Sequence, residues 1–196
     1  DVTNGIGYDP RIGIHYMQAG PGWGGSCFPK DSASLTQVAR SFGFDFTLLE
    51  HTIELNQQHL DRTAHKVKQL IPKDGKNKRV AAWGITFKAG TDDLRYSPGV
   101  EVIKRLEKEQ FVITAFDPTV KGKLPELPLT EIANDPYACA EGSDLLAILT
   151  EWDDFKQLDM EKVALSMRNP NLLDTRNVFE KHEMERIGFA YIGMGT

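Results

Sequence analysis

Arg79-Val-Ala-Ala-Trp-Gly-Ile-Thr-Phe-Lys88 begins with an apolar run of strand length and continues into a glycine-containing turn. Beyond the turn, Ser97 followed by Pro98 predicts the start of a helix, because Ser is a favoured N-cap and Pro fits the first helical turn. A second apolar run of strand length covers 111–116. A strand, a helix and a strand in this order require a crossover connection, which predicts two parallel strands in one sheet.

The same alternation continues to the end of the chain. Further apolar runs of strand length cover 144–149, 171–173 and 189–192. Asp135 followed by Pro136 repeats the helix-start signal. We therefore predict a small doubly wound α/β domain with a parallel sheet over 79–196, whose ligands bind at the carboxyl ends of the strands. Residues 83–90 do not fit the pattern G-x-G-x-x-G, so an ordinary dinucleotide fingerprint is excluded there.

A long helix is predicted before this domain. Apolar residues recur at three- and four-residue steps from Phe46 to Ile71, and Asn56 interrupts the apolar stripe. A helix of about 25 residues extends for roughly 40 Å, so we expect part of it to pack on another subunit or on sequence outside this chain. The alternative is that it bridges two domains. The polar stretch 73–78 predicts a domain boundary, which leaves a central helical segment over 1–72.

The beginning of the chain is rich in glycine, which predicts loops against which a ligand could lie. Asp31 or Ser32 is predicted to cap a helix that ends near Gly43. This places Cys27 just ahead of a helix amino terminus, where the helix dipole and the ammonium of Lys30 favour the nucleophilic thiolate.

The plainer interpretation of a cysteine is a small buried residue without reactivity. Cys139 lies on an Ala-rich helical stretch with no adjacent base or cation, so we assign it to the core. For Cys27 the glycine-rich surroundings and the Lys30-Asp31 pair favour the reactive interpretation.

The composition, with 196 residues of which 40% are hydrophobic and 26% charged, is that of an ordinary globular protein. The net charge of -5 argues against general binding to nucleic acid or anionic membranes. No apolar run approaches the ~18 residues of a membrane span, and the first residues lack a signal-peptide pattern, so we expect a cytoplasmic protein. The two cysteines are isolated, so we expect no disulfide framework and no metal site. Because there is no initiator Met, we expect the chain to be part of a longer protein.

Three cations follow predicted strands. Lys88 and Arg95 come after the first strand, and Arg176 follows the run at 171–173. The carboxyl ends of parallel strands share one edge, so Lys88 and Arg176 are expected to converge on an anion such as a diphosphate. Solvated surface charges are the alternative.

Several motifs together resemble the UDP-glucose/GDP-mannose dehydrogenase family, and most closely its UDP-glucose branch. The motifs are Gly5-Ile-Gly-Tyr-Asp-Pro-Arg-Ile-Gly13, Gly20-Pro-Gly-Trp-Gly-Gly-Ser-Cys-Phe-Pro-Lys-Asp31, Phe87-Lys88 with Thr91-Asp-Asp-Leu-Arg-Tyr-Ser-Pro98, and Thr150-Glu-Trp152 ahead of Asp174-Thr-Arg176. They occur in order over nearly the whole chain. The resemblance implies a central helical region and a Rossmann-like UDP-binding domain, with an amino-terminal NAD-binding Rossmann domain that is absent from this sequence.

The resemblance also implies a two-step, NAD-dependent oxidation of a sugar alcohol to a carboxylate. In it, Cys27 is the nucleophile that forms a thiohemiacetal and then a thioester, and Asp31 manages water or protons. Lys30 and Arg95 are expected to contact NAD. The family's other catalytic lysine and its asparagine partner precede Asp1, so we expect this chain alone not to turn over.

By the same resemblance, the substrate is a UDP-sugar bound by residues of the glycine-rich loop and of the second domain. These are Gln18, Ala19, Gly20, Pro21, Gly22, Trp23, Gly24, Phe87, Lys88 and Arg176. Arg11 is expected to reach into a neighbouring subunit's substrate site, and the helix over 46–71 to form a homo-oligomer.

Three alternatives stay open. A UDP-N-acetylhexosamine or GDP-mannose dehydrogenase would share the Cys and Lys-Asp pattern. A non-catalytic UDP-binding or assembly module would have an unreactive Cys27. A thiol redox protein would need a resolving cysteine near Cys27, and the sequence has none there.

Overall fold

The structure is a computed structural model that describes residues 1–71 and 78–195, without the side chains of residues 15 and 16. Its sheet has six parallel strands in the order β3-β2-β1-β4-β5-β6. The strands are β1 (Arg79–Trp83), β2 (Val112–Phe116), β3 (Glu131–Ile132), β4 (Leu145–Ile148), β5 (Asn171–Asp174) and β6 (Ala190–Gly193). This strand order is that of the doubly wound dinucleotide-binding fold, so the predicted fold class is confirmed.

Helices cover both faces of the sheet. The helices of this domain are α4 (Pro98–Lys108), α5 (Pro136–Ala140), α6 (Met160–Ser166) and α7 (Lys181–Arg186). One core cluster joins α4 and the preceding long helix to the sheet, and a second joins the opposite face to α5, α6 and α7. Both predicted caps are present: Ser97 Oγ accepts from Val100 N at 3.4 Å and Asp135 Oδ2 accepts from Ala138 N at 2.8 Å.

The segment before the sheet is helical. Its helices are α1 (Val2–Gly7), α2 (Phe28–Ser41) and α3 (Thr47–Leu70). The prediction of loops near the beginning was wrong for 2–7, and a short 3-10 helix covers Ile14–Met17. The predicted start of α2 at Asp31 or Ser32 was also wrong, because Pro29 fits the first turn and Cys27 itself occupies the N-cap position.

Helix α3 has two different halves. Its second half packs on α4 through Leu60, Ala64 and Val67. In the first half, by contrast, Leu48 is 76% exposed and Leu55 55% exposed. The single long helix is therefore confirmed, and the expected packing of part of it on another subunit or on sequence outside this chain stays a prediction.

Two features of the sheet domain differ from the predictions. The edge strand β3 was missed, because two residues are too few to show an apolar pattern. The predicted boundary at 73–78 lies outside the described residues except for Lys78. Among residues 1–71 and 78–195, no helix is both long enough and apolar enough to cross a membrane.

Candidate functional site

Residues 18–25, here called the glycine strap, lie against loops that follow two strands of the sheet. A Cβ at Gly20 would lie 2.6 Å from Nη1 of Arg176, and one at Gly25 would lie 3.0 Å from the Phe87 ring. A Cβ at Gly24 would collide with the carbonyl oxygen of Tyr96. Arg176 follows β5, whereas Phe87 and Tyr96 follow β1, so the strap spans the carboxyl edge at which such sheets bind ligands.

Helix α3 holds the strap from the other side. Trp23 N donates to Oδ1 of Asn56 at 3.0 Å, and Nδ2 of Asn56 donates to Trp23 O at 3.1 Å. One turn further along α3, Nε2 of His59 donates to Gly20 O at 2.9 Å. The sequence analysis did not assign Asn56 and His59 to the site. Asn56 could have been recognised because it is a polar residue that interrupts the apolar stripe of α3.

Arg176 is fixed from several directions. Its side chain is 13% exposed, and its Nε lies 3.0 Å from a carboxylate oxygen of Glu151. Nε also donates to Leu149 O at 3.1 Å, and Nη1 donates to Ala19 O at 3.4 Å. Burial lowers the pKa of Arg176, and the charge of Glu151 opposes that effect. The guanidinium is thus a pre-positioned cation beside the strap.

A cleft of about 470 Å³ lies between the strap, α3 and Arg176. Its lining includes four of the predicted substrate residues in the strap, together with five residues of α3. These are Gln18, Gly20, Gly22 and Trp23, with Thr52, Leu55, Asn56, His59 and Arg62. A larger hollow of about 820 Å³ between α3 and α4 contains none of the predicted site residues.

The remaining predicted substrate residues do not line this cleft. Ala19, Pro21 and Gly24 belong to the strap. Lys88 is exposed, and its Nζ lies 5.4 Å from the centroid of the Phe87 ring. The structure therefore places Lys88 and Arg176 at the same edge of the sheet without bringing both into one cleft.

Cys27 is exposed at the amino terminus of α2, a helix of 14 residues. Ser26 Oγ lies 3.6 Å from its Sγ. The Phe28 ring packs edge-on against Trp23, with centroids 4.8 Å apart, which connects the start of α2 to the strap. Lys30 Nζ lies 3.3 Å from Asp31 Oδ1, and both side chains are exposed.

Arg95 is bound to Asp93. Its Nε and Nη2 donate to the two carboxylate oxygens at 2.9 and 2.8 Å. Hydrogen bonding to Arg95 lowers the pKa of Asp93 to about 2. The hydrogen bond to Asp93 is the main cause of the raised pKa of Arg95, and the charge of Cys27 contributes to it.

Arg11 lies on the surface of the first segment, with a side chain that is 87% exposed. Its Nη2 donates to Asp9 at 2.6 Å. Among the described residues, no hydrogen bond joins it to the strap. The structure thus places Arg11 outward, apart from the rest of the predicted set.

Asp117 is fully buried and lies outside the cleft. Asp117 accepts from Ile85 N, Thr86 N and Trp152 Nε1, which ties together the loops that follow β1, β2 and β4.

Cys139 is 2% exposed, and burial raises its pKa, so its assignment to the core is confirmed. In the part of the chain that the structure describes, no group of three or more His, Cys, Asp or Glu side chains could hold a metal ion.

Two family models match the chain. Residues 81–181 match the UDP binding domain of the UDP-glucose/GDP-mannose dehydrogenase family, and residues 1–58 match the central domain of that family. The chain belongs to this family. The two matched stretches lie on either side of the predicted boundary at 73–78.

Members of the family resemble the chain over its whole length. The UDP-glucose 6-dehydrogenase of Rhizobium meliloti is 37% identical over 196 residues, which are 100% of this chain and 45% of that protein. The UDP-D-ManNAc dehydrogenase of Pyrococcus horikoshii aligns with a TM-score of 0.79 and 27% identity, over 99% of this chain and 43% of the other. The UDP-glucose dehydrogenase of Pyrobaculum islandicum aligns with a TM-score of 0.75 and 29% identity, over 98% of this chain and 42% of the other. The chain thus spans less than half the length of these relatives.

Proposed function

We propose that this chain supplies the nucleotide-binding and thiol-bearing part of an NAD-dependent dehydrogenase that oxidises UDP-glucose to UDP-glucuronate. The observation that carries the proposal is the glycine strap, which is fixed between α3 and Arg176 and leads directly to Cys27 at the start of α2. A single short segment thereby joins a cationic cleft to a nucleophile.

The cleft supports the nucleotide assignment. Arg176, whose side chain is 13% exposed, places a guanidinium beside the cleft, where an anionic diphosphate would compete with its ion pair to Glu151. Trp23 offers an aromatic ring beside it. Lys88 would meet the ligand from the neighbouring loop. Outside this cleft, Arg11 is proposed to act in the substrate site of a neighbouring subunit.

Cys27 is proposed to act in the second half of a four-electron oxidation. The first hydride transfer and loss of a proton convert the sugar alcohol to an aldehyde. The thiolate then adds to the aldehyde carbon: a C–S bond forms, the carbonyl π bond breaks, and its electron pair becomes the oxyanion of a tetrahedral thiohemiacetal. As a second hydride leaves that carbon, the oxyanion re-forms the carbonyl of a thioester. The resulting thioester is hydrolysed by water, which breaks the C–S bond and yields the carboxylate and the free thiol. Asp31, in the first turn of α2, would position that water or take up its proton.

NAD accepts the hydrides when it is bound. The exposed cations Lys30 and Arg95 would suit contacts with its phosphates. Each is paired with a carboxylate, Asp31 and Asp93 respectively, so a phosphate would compete with an existing ion pair. NAD itself would be bound largely by sequence outside this chain.

Two features of the proposal concern assembly and location. The exposed apolar residues of the first half of α3, such as Leu48 and Leu55, support a homo-oligomer formed through 46–71. A cytoplasmic location agrees with a reaction that uses NAD and a nucleotide sugar.

The choice of UDP-glucose is supported by the 37% identity to the Rhizobium meliloti enzyme and by the motifs of the UDP-glucose branch. The UDP-N-acetylhexosamine alternative is favoured by one observation, the fold similarity to the Pyrococcus horikoshii enzyme. A GDP-sugar, or a UDP-binding module without chemistry, would be distinguished by the measurements below.

Calorimetric titration of the chain with UDP, UDP-glucose and GDP tests the nucleotide site. We expect UDP to bind more tightly than GDP, and Arg176→Ala to weaken UDP binding by about tenfold or more, because a buried charged contact is lost. Lys88→Ala should have a smaller effect, since Lys88 is exposed. The matched control is Arg168→Ala, which removes a cation paired with Asp144 and outside the cleft. Equal affinity for GDP, or no loss in Arg176→Ala, would contradict the assignment.

The chemistry is tested in the full-length enzyme. Cys27→Ser should stop uronate formation after the first oxidation or at a slowly hydrolysed ester. Normal uronate production by that variant would remove Cys27 from the mechanism.

A further inference from the structure

Asn56 is a buried polar residue in the middle of α3, with 7% of its surface exposed. An amide in such a place destabilises the fold unless its hydrogen bonds are satisfied. Both bonds go to the same residue, since Oδ1 accepts from Trp23 N at 3.0 Å and Nδ2 donates to Trp23 O at 3.1 Å. Two bonds to one residue fix the orientation of its backbone as well as its position.

The neighbouring strap residues fit this arrangement. Gly22 has φ +152, and a Cβ there would lie 2.8 Å from Asn56 Oδ1, so only glycine lets the strap pass this close to the helix. His59, three residues along the same face of α3, holds Gly20 O at 2.9 Å. One helix face therefore fixes the strap at two points, residues 20 and 23.

We propose that Asn56 is a positioning residue that sets the strap in its nucleotide-binding conformation, and that His59 assists it. The nucleotide part of this inference rests on the proposed function. Asn56 acts through Trp23, whose side chain lines the cleft and whose ring packs on Phe28, the first residue of α2. Its effect therefore extends from the cleft to the turn that carries Cys27.

A purely structural role for Asn56 can be separated from a positioning role. Thr63 is also buried in α3, with 0% of its surface exposed, but its Oγ1 donates to His59 O inside the same helix. Thr63→Val removes a buried polar group from α3 without touching a strap atom, so it is the matched control for helix stability.

The first measurement is UDP affinity, determined by calorimetry on the whole chain. Asn56→Ala should raise the Kd for UDP by about tenfold, because the strap loses both bonds at Trp23. Thr63→Val should leave the Kd unchanged. Thermal unfolding of both variants shows that they are compared as folded proteins. If Asn56→Ala does not fold, Asn56→Ser takes its place, because its hydroxyl is too short to reach both Trp23 atoms.

The second measurement follows the strap without any ligand. Trp83 and Trp152 are buried in the sheet domain, whereas Trp23 is half-buried. The part of the tryptophan fluorescence that acrylamide quenches in the unmodified chain but not in Trp23→Phe therefore comes from Trp23 and reports on the strap. Asn56→Ala should raise the Trp23 quenching constant by roughly twofold, while Thr63→Val should not change it.

The two measurements separate the failure of this inference from the failure of the proposed function. Absence of UDP binding in the unmodified chain would contradict the proposed function, and Trp23 quenching would still decide whether Asn56 positions the strap. Where UDP binds, both quantities must change in Asn56→Ala. An unchanged quenching constant or an unchanged Kd overturns the inference.

Discussion

The sheet domain and the segment before it distribute their apolar side chains in opposite ways. In the sheet domain, residues such as Trp83, Leu146 and Phe155 are fully buried between the sheet and its helices. In the described part of the first segment, the buried core side chains are Leu60, Ala64, Val67 and Ile71, and Phe42 is 85% exposed. The sheet domain thus contains a core of its own, whereas in the first segment α1 packs on the short 3-10 helix and α2 packs on α3.

This difference in burial between the two regions shows which contacts hold the strap in place. The strap belongs to the segment with little core, yet it is held by buried side chains on both sides, Asn56 from α3 and Arg176 from the loop after β5. The candidate site therefore lies at the junction of a well-packed region and a sparsely packed one.

Removing a large core side chain should separate the two regions most clearly. Trp83→Ala should lower the free energy of unfolding by about 3–5 kcal/mol, because it leaves a cavity next to Phe155. Phe42→Ala should change it by no more than about 0.5 kcal/mol, because that ring is exposed. Urea unfolding of both variants provides the comparison. A similar loss in both would mean that the first segment is as well packed as the sheet domain.

The chain has one cysteine in each region, and their reactivities should differ widely. Iodoacetamide should alkylate Cys27 at least about a hundredfold faster than Cys139, since Cys139 is buried, its pKa is raised, and it must wait for local opening. Mass spectrometry of the native chain at successive times measures both rates. In urea the two rates should converge. Equal rates without urea would contradict the described packing of Cys139.

The contact between the regions depends on a close backbone approach at the strap. Gly24→Ala should weaken UDP binding by about tenfold and lower stability by roughly 1–3 kcal/mol, because its Cβ would collide with Tyr96 O. Gly5→Ala is the control, since a Cβ there meets nothing within 4 Å. Calorimetry and urea unfolding measure the two quantities. Full UDP affinity in Gly24→Ala would show that the strap does not need this contact.

The smallest effect concerns two similar ion pairs, Asp9–Arg11 in the first segment and Asp93–Arg95 in the sheet domain. Arg95→Gln should raise the pKa of Asp93 from about 2 towards the ordinary value near ~3.9. Because the folded-state pKa is lowered, the stabilisation from this pair is present above pH ~4 and is lost as the pH falls through about 2.

An NMR titration of the Asp93 carboxyl measures this shift. Arg11→Gln is the matched control, and it should raise the pKa of Asp9 while leaving Asp93 unchanged. An Asp93 pKa that does not change in Arg95→Gln would show that another group lowers it.

Much of the architecture could be predicted from local patterns. Some elements are long enough to show an apolar pattern in the sequence. These are the strands Arg79–Trp83 and Asn171–Asp174 and the long helix that ends at Leu70. The two-residue strand Glu131–Ile132 is too short to show such a pattern, and its pairing with β2 exists only in the folded sheet. The helix start at Phe28 was missed because its N-cap residue, Cys27, is not a favoured capping residue and makes no side-chain cap hydrogen bond.

Local patterns in the sequence determined the order of the strands other than β3, the long helix, the family motifs, and the position of Cys27 beside a helix start. These follow from spacing, turn residues and capping, which are local properties of the chain. Only the tertiary structure decided that Asn56 and His59 hold the strap, that Arg176 lines the cleft, and that Lys88 does not. The physical reason is that these contacts join residues far apart in the sequence, such as Trp23 and Asn56 or Ala19 and Arg176, and depend on how α3 packs against the sheet domain.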